Sequence, residues 1–167
     1  MFIVLNGIFF FFKPLKISQE DHKEVPLFEI KDFILYELTP EKLETIMVGT
    51  QSTRYKQTYT VRDIDYTNNA KKYIANVKAN EGVYKNDIMT FSGDVFYTRE
   101  DGLSFESEEV VYDKQKAYTR SKGDYVAYLG KNRINGSFVE YFNKKNLVVS
   151  KNVTAVFQLD EKNNEKN

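Results

Sequence analysis

Residues 103–113 read Leu-Ser-Phe-Glu-Ser-Glu-Glu-Val-Val-Tyr-Asp. Counting back from Tyr112, apolar or small residues stand nine, seven and five places earlier (Leu103, Phe105, Ser107), and then two places earlier (Val110). The first three alternate with period two, as one face of a strand must. Between Ser107 and Val110 the parity slips by one residue. A β-bulge produces such a slip by inserting an extra residue that bends the strand and sharpens its twist.

The same pattern recurs along the chain. Tyr55, Tyr84, Tyr112 and Tyr141 follow one another at intervals of 29, 28 and 29 residues. Seven places before each tyrosine stand Val48, Val77, Phe105 and Ile134; five before come Thr50, Ala79, Ser107 and Gly136; two before come Thr53, Gly82, Val110 and Val139. The slip falls at Gln51–Ser52, Asn80–Glu81, Glu108–Glu109 and Ser137–Phe138, where Phe138 alone is a good core residue. A fixed period of this size marks one supersecondary unit stacked several times. The fold class expected is all-β: a single bent antiparallel jellyroll of repeated bulged hairpins sharing one apolar concave face. The row of small residues is expected to leave a trough, filled either by a facing sheet or by a ligand.

Composition agrees. Tyr (12) and Phe (13) are abundant and Pro is scarce (3), which favours strands. Lys plus Arg equals Asp plus Glu at 24 each, with both signs scattered, so the basic patch of a nucleic-acid binder is missing. Cysteine is absent, which excludes disulfides, thiolate nucleophiles and cysteine metal sites. His22, the one histidine, lies on a polar stretch and cannot build a triad, and no phosphate loop or metal-ligand spacing occurs. No catalytic, metal or cofactor site is assigned. The carboxylates Glu106, Glu108 and Glu109 read as a solvated strand edge.

Four regions follow. Residues 1–12 (MFIVLNGIFFFF) are apolar but shorter than the roughly 20 residues of a helical span. They are expected to be the tail of a membrane anchor whose beginning precedes the given chain and carries further basic residues. Residues 13–27 read as a polar tether, 28–159 as the β domain, and 160–167, all charge and Asn, as a disordered tail. Within the domain, Thr39-Pro40-Glu41-Lys42, Lys85-Asn86-Asp87 and Asp101-Gly102 read as turns.

From Phe28 to Leu159 the chain resembles the LptC family of lipopolysaccharide-export proteins, within the broader OstA-like jellyroll group. The residues that carry the likeness are the 103–113 stretch followed by Gly123-Asp124. Asn132-Arg133-Ile134-Asn135-Gly136 then leads to Val139-Glu140-Tyr141, Gly93-Asp94-Val95 opens an equivalent return strand, and Asn152-Val153 closes the last unit. Phe28-Glu29-Ile30 and Tyr36-Glu37-Leu38 match near the start. The likeness implies a single-pass inner-membrane protein with a periplasmic jellyroll. Such a protein accepts lipopolysaccharide from an ATP-driven (ABC) transporter and passes it to a periplasmic bridge protein of the same fold.

On that reading Val48, Val77, Phe105, Ile134, Val110, Val139, Tyr84, Tyr112 and Tyr141 line the lipid groove. The first strand, with Phe28, Ile30 and Tyr36, docks on the transporter; the last, with Val153, Ala155 and Phe157, docks on the bridge protein. The physics is consistent, because each exposed CH₂ of an acyl chain costs about 0.8 kcal/mol in water. Two readings compete with it: an adhesive or structural β-repeat protein with a closed dry core, and a soluble bridge-type periplasmic lipid carrier.

Overall fold

The computed structural model describes residues 25–69 and 72–158. The proposed anchor (1–12), most of the tether and the proposed tail (160–167) lie outside the described residues. Among the described residues no helix is long and apolar enough to cross a membrane.

The chain runs as β1 (Phe28–Leu38), β2 (Leu43–Arg54), β3 (Thr58–Asn68), β4 (Ala75–Lys85), β5 (Ile88–Arg99), β6 (Leu103–Asp113) and β7 (Tyr118–Leu129). Four shorter strands follow: β8 (Asn132–Gly136), β9 (Phe138–Phe142), β10 (Leu147–Lys151) and β11 (Thr154–Val156). All belong to one sheet in the order β1-β2-β3-β4-β5-β6-β7-β8-β11, with β9 between β7 and β10. Every pairing is antiparallel. Thus β8 and β9 are the two halves of the fourth tyrosine-marked strand, and β10 and β11 are the two halves of its return.

Local chemistry sets the turns. Asn86 and Asp87 both hold positive φ (51° and 62°), the pair of left-handed residues a tight two-residue hairpin needs. Gly102 (φ 88°) donates its N–H to the Arg99 carbonyl at 2.9 Å, closing the hairpin between β5 and β6. The Thr39 hydroxyl accepts from the Lys42 N–H and donates to the Lys42 carbonyl, fixing the β1–β2 turn.

The bend is built by both strands of each hairpin. Pairing registers shift between Lys78 and Glu81, between Ser92 and Val95, and between Ser107 and Glu109. The left-handed residues sit on the return strands: Asp32 (φ 48°), Asp63 (φ 49°), Gly93 and Asp94 (φ 74° and 51°) and Gly123 (φ 81°). Facing them are the slip residues and their neighbours, and two side chains there tie across. The Thr50 hydroxyl donates to Asp63 Oδ2 at 2.6 Å, and the Asn80 amide donates to Asp94 Oδ2 at 3.3 Å. Asp tolerates the left-handed region because its short side chain bonds locally. Phe138, the apolar residue at the last slip, is half-buried under the Lys151 ammonium, 5.5 Å from the ring centroid.

The strands on either side of the bend contribute to one core. Tyr66, Phe91, Met47, Ile64, Met89 and Tyr112, none more than 2 % exposed, are its most enclosed apolar side chains.

Candidate lipid-binding face and sheet edges

Inside a rim row, Glu37–Thr45–Asn68–Ala75–Arg99, four further rows of inward side chains cross the sheet. The first runs Leu35–Met47–Tyr66–Val77–Tyr97–Phe105–Ala127–Ile134–Ala155, each residue paired with the next. Beside it are Phe33, Gly49, Ile64, Ala79, Val95, Ser107, Tyr125 and Gly136. Beyond the bend come Ile30, Ser52, Val61, Gly82, Phe91, Val110, Ser121 and Val139. The outermost row is Phe28–Arg54–Tyr59–Tyr84–Met89–Tyr112–Thr119–Tyr141–Val148.

The structure brings eight of the nine expected groove residues into these rows. Val77, Phe105 and Tyr112 are buried; Ile134, Val110, Val139, Tyr84 and Tyr141 are half-buried. Val48 is the exception: it pairs with Ile34 and Asp65 on the outer face and is 39 % exposed. The first unit is one residue out of step with the others. Its inward set is Met47, Gly49, Ser52 and Arg54, and Arg54 rather than Tyr55 occupies the tyrosine row, its guanidinium 5.1 Å from the centre of the Tyr59 ring.

The small-residue row does not leave the expected trough in β1–β4 or at Gly136. Small and large side chains alternate from strand to strand, and the large ones fill the space. A Cβ on Gly49 would lie 2.8 Å from the Phe33 ring and 2.9 Å from Val61; one on Gly136 would lie 2.9 Å from the Tyr125 ring. At Gly49 and Gly136 the small residue answers to the close approach of a neighbouring ring.

Sequence reasoning assigned no inward role to the return strands, which supply Tyr59, Tyr66, Phe91, Tyr97 and Tyr125. Their signal was present: Asp32, Asp63, Asp94 and Asp124 recur at intervals of 31, 31 and 30 residues and mark the same slip on the alternate strands.

Polar groups gather at one rim of the inner face. The Thr45 hydroxyl donates to Glu37 Oε2 at 3.1 Å and the Asn68 amide donates to the Tyr66 hydroxyl at 3.3 Å. Arg99 grips Asp101 with two bonds of 2.7 Å. Burial pushes the phenols of Tyr66 and Tyr97 up to about 12. Tyr84, whose hydroxyl donates to Asp87 at 2.8 Å, and Tyr118, which donates to Glu140, are also raised to about 12, desolvation being the larger cause.

Glu106 and Glu108 are exposed and, with Phe96, Asp124 and Val126 among others, line a depression of 390 Å³ beside the bend. Glu109 pairs with Lys122 at 2.6 Å. No group of His, Asp and Glu among the described residues is placed to hold a metal ion.

Among the described residues, nothing pairs with the outer side of β1 or with the outer sides of β10 and β11. On β1, Phe28 is 57 % exposed, Ile30 packs against the core and Tyr36 stands on the outer face. At the other edge Val153, Ala155 and Phe157 are all exposed, with Ala155 paired to Ile134.

No protein-family model and no curated protein sequence matches this chain. Its structure is similar to the crystal structure of LptH from Pseudomonas aeruginosa, described as the LptA-homologous periplasmic component of the conserved lipopolysaccharide transport device. The TM-score is 0.52 at 12 % sequence identity, covering 78 % of this chain and 94 % of that one. The fold is therefore an LptA-like jellyroll: a single open antiparallel sheet.

Proposed function

We propose that this protein is a lipopolysaccharide-export component of the LptC type that shields acyl chains inside its bent sheet. It takes lipid from an inner-membrane transporter and gives it to a periplasmic partner of the same fold. The observation that carries this reading is the set of continuous inward rows, largely apolar, in an LptA-like sheet whose two edges are unpaired among the described residues. Unpaired edges are templates for strand addition by a partner. β1 is assigned to the transporter and β10–β11 to the bridge protein. The apolar stretch 1–12 is assigned to membrane anchoring. The role is passive, the driving energy coming from the transporter, and no reaction is assigned to the chain.

Photo-crosslinking side chains at Phe105 and Tyr112 should capture lipopolysaccharide, whereas one at Glu106, exposed on the outer face, should not. Equal capture at all three positions would remove the assignment of the inner face.

A dry-cored structural repeat protein is the second reading, favoured by the Phe33 and Tyr125 rings that fill the space beside Gly49 and Gly136. It predicts that an apolar dye finds no interior site.

A further inference from the structure

We infer that the turns at 114–117 and 143–146 together form a phosphate-binding site, which holds the headgroup of the carried lipid. The inference rests on the lipid-carrying reading above and deepens it by fixing the lipid's polarity. Acyl chains lie along the inward rows, and the phosphates lie at the tyrosine-row ends of the strands, over the C-terminal half of the sheet.

The first observation is charge. Four turns close the sheet at the tyrosine-row end, at 55–57, 86–87, 114–117 and 143–146, and they carry five lysines against one acid, Asp87. The turns at the opposite end, at 39–42, 69–74, 100–102 and 130–131, carry four lysines against three acids. Four of the five lysines stand on two turns that touch: the Asn143 N–H donates to the Ala117 carbonyl at 3.0 Å. Lys114, Lys116, Lys144 and Lys145 are all exposed. The acids beside them are engaged at the surface, Asp113 with Lys116 at 3.2 Å and Asp87 with Gln115 at 2.9 Å. A phosphate monoester carries more charge than a carboxylate and offers three acceptor oxygens, so it competes well for exposed ammonium groups.

The second observation is a hydroxyl without a bond. Thr119 is 4 % exposed and stands in the tyrosine row between Tyr112 and Tyr141, two residues past Ala117. Among the described residues its hydroxyl is buried with no hydrogen-bond partner, and so is Nε of Arg54 in the same row. An unpaired buried polar group is costly, and the polar end of an amphiphile would satisfy it. At the opposite rim the Tyr97 hydroxyl is unpaired too, but there the neighbouring Arg99 is already bound by Asp101. Only the tyrosine-row end combines unpaired polar groups with an excess of positive charge.

The test measures binding of three probes to the full chain: purified lipopolysaccharide, the same lipid stripped of its phosphates, and inorganic phosphate. The parent should bind the intact lipid about tenfold more tightly than the stripped one. The variant Lys114→Gln, Lys116→Gln, Lys144→Gln and Lys145→Gln should bind both lipids alike. The control Lys72→Gln with Lys131→Gln, exposed lysines of the opposite turns, should keep the gap, and thermal melting verifies folding of each. Equal affinity of the parent for both lipids, or a gap that survives the four substitutions, would overturn the phosphate site while leaving lipid carriage intact. A gap lost equally in the control would do the same. Binding of neither lipid would overturn lipid carriage itself, and the site with it. Inorganic phosphate bound as tightly as lipopolysaccharide would mark a free-anion site and overturn the headgroup assignment. Thr119→Val should leave the melting temperature unchanged or higher while weakening intact lipopolysaccharide severalfold. A lower melting temperature with unchanged affinity would remove Thr119 from the site.

Discussion

The hydroxyls of Tyr125 and Ser150 lie 2.7 Å apart, joining β7 to β10 across the broken fourth strand. The Tyr125 ring passes over Gly136 to make this contact, and Ser150 also donates to the Phe138 carbonyl at 2.6 Å. This pair ties the terminal hairpin to the body of the sheet. Ser150→Ala should cost about 1 kcal/mol by chemical denaturation and speed amide exchange in β10. Gly136→Ala should cost more, because its Cβ would meet the Lys151 carbonyl oxygen at 2.8 Å as well as the ring.

Gly49 and Phe33 form a second matched pair. Gly49→Ala should destabilise by roughly 1–3 kcal/mol through overpacking against the Phe33 ring and Val61. Shortening the partner in the double variant Gly49→Ala with Phe33→Leu should recover part of the loss. Strict additivity of the two changes would show that the contact is not the cause.

The two faces of β5 should differ sharply. Phe91→Ala, at a position 1 % exposed, should cost about 3–5 kcal/mol. Phe96→Ala, at an exposed position on the outer face, should fall within about 1 kcal/mol of the parent. Equal losses would contradict the strand's orientation.

Alkaline stability follows from the tyrosines. Tyr66, Tyr84, Tyr97 and Tyr118 are raised to about 12 in the folded protein, while unfolded tyrosine ionises near 10. Below pH 10 the phenols are neutral in both states and their contribution is fully present. Between pH 10 and 12 the unfolded chain releases protons that the folded chain retains, so stability falls as pH rises. Phenolate absorbance should therefore show a late-titrating group of tyrosines that ionises together with loss of β-sheet circular dichroism. Smooth titration of all tyrosines near pH 10 in a folded protein would refute this.

Much of the fold was legible because the strand period and its slip are covalent facts of spacing. Val77, Phe105, Ile134, Val110 and the later tyrosines recur in step, and their rows follow from that alone. Val48 was misplaced because Tyr55 imitates the repeat by chance, one residue beyond the pairing register, while Arg54 takes the inward position. An arginine whose guanidinium lies over a tyrosine ring gives no hydrophobic signal in a sequence. The trough was misread for a related reason. Small residues on one strand say nothing of the large ones that the neighbouring strands place beside them, here Phe33, Ile64, Val95 and Tyr125. Exposure at Val148 and Ala155 was not legible, since it depends on what stands opposite them in space.

From β1 to β8 each strand pairs with the one just before it in the chain. A ribbon wound in this way can set as it emerges, every hairpin closing on the one before without waiting for a distant stretch of polypeptide. It can also lengthen or shorten by whole units during descent, since each unit pairs only with its neighbours.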